Sequence, residues 1–501
     1  MTLAFNYIPG AGLKAPLVTF ELVSGGQFTS QSRLLLVGHK TSAGTLAEAV
    51  PTYCGTQEEA DLLAGAGSML REMFRIARAN APVQEIWIVA AAATGVAGIW
   101  TGTVGTPPAD GGAGVIEIAG QSVTVDIGAG DDAATVAAAI RDAINNFYDP
   151  LTGAMLPVTA TAATNVVTVT ARHTGLALDD LDLTVPTTTP GNAFAGVLTI
   201  AHPTAGTGSP DLSAALASLG DDAFDLIVSP FSDATNLGRY QTLLSDVSGR
   251  WSYARQIYGH VITAAVDSTS GLTTLGLGRN DRHVTIVGRI ASSGDPNPGY
   301  AWATAMAARV MPWLFDGATG NASRNHTGLT LEGIRAPRDR SKWVVYATRN
   351  TFLKSGISTW QATLDGSVAI DKLVTTYRTN ALGQPDEVFA DIQWVGQMTY
   401  GLRYMRAQVS YEHANKAIAD ENPGGDDAIT TPADIEATII HAYEALSGIF
   451  ENAGDFADSI VVERSQDSPN RVDVKMKIDR VNPLDVFAAQ AVLYSQIAAA
   501  A

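Results

Sequence analysis

HVITAAV (260–266) and HVTIVGRI (283–290) are too apolar to leave either face in water, and a helical stretch lies between them. Strands that read as near-continuous apolar runs are buried on both faces, and their alternation with helices builds a largely parallel sheet covered on each side. Upstream, EIWIV (85–89) and DLIVS (225–229) have the same character, and a helix over about 57–79 leads into the first of them. These runs predict an α/β core.

The core is interrupted. TGTVGTPPADGGAG (101–114) and HPTAGTGSP (202–210) are rich in turn and linker residues and mark the two hinges of an insertion. Between them Val123, Val125 and Ile127 alternate with Thr124 and Asp126, and Val167, Val169 and Ala171 with Thr168 and Thr170, the period of half-buried strands. One helix starts at Asp131 or Asp132 as N-cap and lines up Val136, Ile140 and Ile144 at four-residue spacing. The expected insert is small, Thr-rich and mostly β. Past Ser341 the pattern becomes mixed α+β, with strands near 343–348 and 403–411, a helix over about 433–451 and a final strand pair. In RVDVKMKID (471–479), Val472, Val474, Met476 and Ile478 face one way while Asp473, Lys475, Lys477 and Asp479 face the other.

Composition narrows the function. At 501 residues the chain is too long for one hydrophobic core. A net charge of −18 without a compensating Lys/Arg cluster repels a phosphate backbone, which argues against nucleic acid and anionic lipid as partners. The most apolar stretch, IWIVAAAATGVAGIW (86–100), is too short and too glycine-broken to span a bilayer and reads as a buried strand entering a loop, so no membrane insertion is expected. The single cysteine, Cys54, rules out an internal disulfide and fits a small buried residue in a reducing compartment. No histidine pair has metal-ligand spacing, no serine sits in a G-x-S-x-G elbow, and no Gly-Lys dipeptide is present for a P-loop. Catalytic residues, cofactors and metals are therefore not expected. GAGDDA (128–133) matches a dinucleotide fingerprint on paper, but its two aspartates occupy the helix N-terminus where a pyrophosphate would sit.

Both ends read as extended, apolar-faced arms. Beyond IPGAGLKAP (8–16), Val18, Phe20 and Leu22 alternate with Thr19 and Glu21, and VNPLDVFAAQAVLYSQIAAAA (481–501) carries almost no charge. Twenty extended residues reach roughly 65 Å, far enough to leave their own subunit. The competing reading of the tail is a terminal helix packed on its own subunit, since AAQAVLYSQIAAAA (488–501) has high helix propensity.

DRSKWVVYATRNTFLKSGISTW (339–360), VAIDKLVTTYRTNALGQPDEVFADI (368–392), SIVVERSQDSPNRVDV (459–474) and VNPLDVFAAQ (481–490) together resemble the tail sheath protein of contractile-tailed phages, specifically its Mu-like subgroup. FNYIPGAGLKAP (5–16) resembles that family's N-terminal arm, and DLIVSPFSDATNL (225–237), GRWSYARQIYGH (249–260) and DRHVTIVGRI (281–290) resemble its middle domain. These segments cover most of the chain outside the insert.

The resemblance implies a structural subunit, not an enzyme, with an α/β and α+β multidomain fold. Its parts would be an N-terminal arm (1–24), an α/β core of subtilisin-like but non-catalytic fold in two pieces (25–100 and 206–338), a β-rich insertion domain on the outer surface (101–205), a C-terminal α+β domain facing the tube (339–480) and a C-terminal arm (481–501). It implies a homo-oligomer of hexameric rings stacked helically around the inner tail tube protein, with baseplate and tail terminator proteins as further partners. Such a sheath is assembled in the host cytoplasm as part of the virion tail, and it contracts without nucleotide or cofactor to drive the tube through the host envelope. In the family, arms of neighbouring subunits add strands to a sheet in a third subunit's C-terminal domain. Carried over to this chain, Leu17, Val18, Phe20 and Leu22 supply the N-terminal strand, Val486, Phe487, Ala489, Ala491 and Leu493 the C-terminal one, and Val472, Val474, Met476 and Ile478 belong to the receiving sheet. The family tail often ends soon after its apolar strand, whereas this one continues through SQIAAAA (495–501), which leaves the donated residues open. Asp434, Glu436, Glu444 and Glu451 are candidates for facing the tube. Two rival readings are an α/β hydrolase-like enzyme and a surface adhesin acting through the Thr/Gly-rich insert.

Overall fold

The computed structural model describes residues 32–186, 189–291 and 294–493, so Leu17, Val18, Phe20 and Leu22 lie outside the described residues. Strands β1 (Arg33–Gly38), β2 (Thr52–Tyr53) and β3 (Glu85–Ala90) bracket helices α1 (Gln57–Ala64) and α2 (Met69–Asn80). The one helix expected over 57–79 is two. Gly65 and Gly67 take positive φ angles of 84° and 68° that end α1, and Ser68 restarts the helix by accepting a hydrogen bond from the Arg71 N–H.

The next segment comprises β4 (Ile99–Val104), β5 (Gly112–Ile118), β6 (Gln121–Ile127), α3 (Ala133–Asn145), β7 (Val158–Ala163), β8 (Val166–Ala171), β9 (Leu183–Thr184) and β10 (Leu198–Thr204). It forms one sheet of order β10-β4-β8-β7 and another of order β6-β5-β9. Helix α3 begins after Asp132, as its sequence predicts, and buries Val136, Ile140 and Ile144. Asp131 and Asp132 accept from the Gly128 and Thr135 N–H groups, so the fingerprint-like turn is satisfied by its own carboxylates.

The expected hinges turn out to be paired with each other. Thr101 and Thr103 of β4 lie opposite Ala201 and Thr199 of β10, and the Trp100 ring stacks on His202 with centroids 4.4 Å apart. The alternating run from Ile99 to Val104 outweighs the turn residues around it. Buried polar bonds reinforce the attachment: the Met69 N–H donates to His173 Nε2, Arg71 to Gly153 O, the Met155 N–H to Glu72 Oε1, and the Gly299 N–H to Asp180 Oδ2. Hydrogen bonds of this kind rigidify a junction, so these strands are fastened to the core and not loosely tethered.

The chain then continues through α4 (Ser213–Ala217), β11 (Leu226–Val228), α5 (Ala234–Leu243), β12 (His260–Asp267), α6 (Thr269–Leu277), β13 (Val284–Ile290) and α7 (Gly299–Leu314). After these come α8 (Tyr346–Lys354), β14 (Ile357–Ala362), β15 (Val368–Lys372), α9 (Gln393–His413), β16 (Ala417–Ile418), β17 (Ile429–Thr430), α10 (Pro432–Glu444), α11 (Ala453–Ser459), β18 (Val461–Arg464) and β19 (Val472–Lys475). The central sheet has eight strands in the order β15-β14-β13-β12-β11-β1-β3-β2. Its interior strands are mutually parallel, and β2 and β15 are antiparallel edges. The four apolar runs of the sequence are β3, β11, β12 and β13, all in this sheet. The whole is a mixed α/β, multi-sheet fold.

Two expected strands are helical. Around 343–348 the β-branched pair Val344 and Val345 precedes α8, with Val345 in extended conformation as its N-cap. At 403–411 the chain lies inside α9, whose buried Gln393, Gln397, Gly401 and Met405 recur every four residues, a period that a local two-residue alternation masks.

Helix α9 crosses the end of α7 at Gly396, where a built Cβ would stand 1.6 Å from the Leu314 carbonyl oxygen. Gly396→Ala is therefore expected to cost about 1–3 kcal/mol through overpacking, read as a lowered thermal midpoint. Gly454→Ala, in open space on α11, is expected to leave the midpoint unchanged or higher. Equal midpoints for wild type and Gly396→Ala would contradict this packing.

Candidate strand-exchange site

The last elements are built from local signals. Thr431 and Asp434 form a capping box, with Pro432 at the first helical position, and so fix the start of α10. The bonds that Asp434 accepts from the main chain and hydroxyl of Thr431 hold its carboxyl below the usual range. The helix stops at Glu444, short of the expected 451, because Ile449 to Glu451 turn back to pair with a later segment. The Val481 N–H donates to Ile449 O at 3.0 Å, and the Glu451 N–H to Asp479 O at 3.1 Å. Buried Tyr443 centres this clasp: its hydroxyl donates to Glu451 O at 2.7 Å and accepts from the Asp479 N–H at 3.2 Å. Its ring stacks on Phe456 at 3.7 Å and on Phe450 at 5.1 Å. The four proposed tube-facing acids are accordingly not on one helix: Asp434, Glu436 and Glu444 ride on α10, while Glu451 lies in the paired segment.

Beyond the clasp, β18 and β19 pair antiparallel, with Val462 opposite Val474 and Arg464 opposite Val472. Among the described residues this sheet has only these two strands, so both outer edges carry unpaired main-chain groups. Val472, Met476 and Ile478 are half-buried, Val474 is 37% exposed, and Met476 and Ile478 lie past the paired stretch. The single buried face expected for this run is thus only partly covered, with no third strand beside it among the described residues. An isolated two-stranded hairpin is marginal in water, and an open edge is a template for a further strand.

The tail leaves the body in a defined manner. The buried Gln397 of α9 donates to Val481 O at 2.7 Å and accepts from Arg480 Nη1 at 2.9 Å. Asn325 donates to Leu484 O at 2.8 Å and to Asp485 Oδ1 at 2.9 Å. Lys372 pairs with both Asp391 and Asp485. Burial opposes its charge, but the two carboxylates outweigh burial and raise its pKa. Past Asp485 the described chain forms neither helix nor strand: Phe487 is 85% and Leu493 97% exposed, and Val486, Ala489 and Ala491 are exposed as well. The structure therefore separates a tethered root ending at Asp485 from a free apolar segment.

Sequence reading placed the apolar residues of this segment but missed the root. Its only signal was Asp485, the one charged residue of 481–501; Gln397, Asn325 and Lys372 come from distant parts of the chain with no local pattern to mark them.

Comparison with known proteins defines the class first. Residues 205–376 match the family model described as the phage tail sheath protein central domain. The chain is also 29% identical over 506 aligned positions to the Mu-like prophage FluMu tail sheath protein of Haemophilus influenzae, spanning 97% of this chain and 99% of that one. It is similar in structure to the sheath tail protein of Desulfitobacterium hafniense (12% identity, 93% and 97% coverage, TM-score 0.49) and to that of Listeria innocua (11% identity, 91% and 93% coverage, TM-score 0.46). The chain thus carries a phage tail sheath central domain over 205–376 and is similar along nearly its whole length to the Mu-like prophage sheath protein.

Because Phe487 is exposed, Phe487→Asp is expected to change the unfolding free energy of the unassembled chain by less than about 0.5 kcal/mol. Tyr443→Phe, which strips a partner from the clasp, is expected to cost about 1–2 kcal/mol. Urea denaturation of monomers reads both, and a Phe487→Asp penalty as large as that of Tyr443→Phe would show that the tail packs on its own body.

Proposed function

We propose that this sheath subunit polymerises by strand exchange: its arm beyond Asp485 and its N-terminal arm add to the β18–β19 hairpins of neighbouring subunits. The observation that carries this reading is the pairing of supply with demand in one chain. A hairpin with two open edges accompanies an apolar segment that is anchored at its root and uncovered beyond it. Each main-chain hydrogen bond contributes only on the order of 1 kcal/mol net, but several per arm, repeated along a filament, keep subunits linked while their bodies move. A head-to-tail contact that does not close on itself generates a helix, which fits hexameric rings stacked around an inner tube.

On this reading 101–205 is an outward insertion domain, 339–480 lies toward the tube and carries the acids of α10, and baseplate and terminator proteins close the two ends. Assembly in the host cytoplasm builds the sheath into the virion tail in an extended state that is kinetically trapped above a better-packed contracted one. Contraction then needs no nucleotide and drives the tube through the host envelope. The subtilisin-like description of the middle domain is kept as an analogy of fold, with no proteolysis implied. The comparisons lend no support to the hydrolase-like enzyme or the adhesin.

Negative-stain microscopy of the full chain beside a version ending at Val481 tests the proposal. Tubes from the full chain with only monomers or isolated rings from the truncation are expected. Tubes from both would remove the tail from the mechanism, and monomers from both at every concentration would remove self-assembly as well.

A further inference from the structure

A cavity of about 590 Å³ opens at the carboxyl edge of the central sheet. From β1 the parallel strands run out to β3 on one side and to β11, β12 and β13 on the other, and the cavity is lined by residues just past β1 and β11 and by the last residues of β12, where this order reverses. In open α/β sheets that crevice is where ligands bind, and the volume falls within the range of small-molecule sites.

Its chemistry is one-sided. Helices α5, α6 and α7 start at this edge, and each N-terminus carries roughly half a positive charge, the usual basis for holding an anion there. Here the protein's own oxygens already answer those N–H groups. Asp233 caps α5, Ser268 caps α6, and Asp180 Oδ2 accepts from Gly299 at the start of α7 at 2.6 Å. Asp179, Asp180, Asp233 and Asp267 all line the cavity, which has no Lys or Arg among its described lining residues. Arg289 and His202, which are not lining residues, lie beside Asp180 and Asp179, while Asp233 and Asp267 have no cationic side chain paired with them among the described residues.

Two lining groups also lack partners. His39 is 1% exposed, and its Nδ1 lies 2.8 Å from Ala91 O, an acceptor, so the proton is on Nδ1 and Nε2 is an acceptor without a donor among the described residues. Asp180 Oδ1 is likewise buried with no partner among the described residues. His39 Nε2 thus calls for a donor, and so does Asp180 Oδ1 when ionised; burial pushes that carboxyl above its usual range, and Arg289 and the Gly299 N–H oppose the rise. Phe231, Val266 and Leu275 supply apolar wall between them. A metal ion fits poorly, since no group of three His, Cys, Asp or Glu side chains close enough to hold one occurs among the described residues.

We propose that this cavity binds a small organic ammonium ion, with its N–H donors on Asp180 Oδ1 and His39 Nε2 and its methylene groups against the apolar wall. The site joins residues of the segment carrying β4 to β10, such as Asp179 and Asp180, to the ends of the core strands, so occupancy would brace that segment against the core.

Equilibrium dialysis and thermal unfolding of the full chain with 1,4-diaminobutane test this, with sodium chloride and magnesium chloride at matched ionic strength as controls. Saturable binding at one per chain with a rise of several degrees in the midpoint is expected from the diamine alone. Asp180→Asn removes an acceptor, and Ala264→Leu fills the space without altering charge; each is expected to weaken binding at least tenfold. Should one of them fail to fold, the other still decides. Absence of saturable binding, an equal midpoint rise with either salt, or undiminished binding by Ala264→Leu would overturn the proposal.

Discussion

A β-sheet of two strands cannot satisfy its own outer edges, and that constraint organises the C-terminal half of this protein. Among the described residues β18 and β19 pair only with each other, and of their valines Val462 and Val472 are half-buried while Val461 and Val474 are exposed. Water can hydrate those edges in the free chain, but a strand from elsewhere gains both the main-chain bonds and the apolar cover. The remaining C-terminal elements position that hairpin or hold the root of the tail. Helix α10 packs against β18, the Tyr443 clasp ties α10 to the segment after β19, and Gln397, Asn325 and Lys372 fix the tail as far as Asp485.

Rigid root and free tip serve different ends. A tail tethered at Asp485 leaves the body at a fixed point, so its apolar residues search a restricted volume and lose less entropy when they pair. The bonds that fasten the segment carrying β4 to β10 to the core fit the same proposal, in which the body moves as one unit and movement between subunits is left to the arms. Under the proposed strand exchange, copies built this way would change how they pack without breaking the links between them.

The sequence and the structure agree where the signal is local or strongly periodic. The apolar runs at 85–89, 225–229, 260–266 and 283–290 could only be buried strands, and the Asp132 cap with Val136, Ile140 and Ile144 could only be one face of a helix. Agreement fails where distant contacts decide. The run at 403–411 alternates over a few residues yet belongs to a helix of 21 residues whose period shows only over its full length. The stretch 445–451 was helical by propensity, but pairing of 449–451 with 479–481 overrides it, and Glu451 leaves the face it was expected to share with Asp434. The root of the tail was invisible for the same reason, since Gln397, Asn325 and Lys372 acquire their role only when the fold brings them to it.

The central claim is that main-chain groups of the tail beyond Asp485 are hydrogen-bonded in the assembled sheath and free in the monomer. Hydrogen exchange of the amides from Val486 to Leu493, measured in isolated chains and in assembled tubes, tests it directly. Exchange near free-chain rates is expected in the monomer and slowing by orders of magnitude in the tubes, with matching protection on the outer edges of β18 and β19. Free-chain exchange of these amides in intact tubes would contradict it.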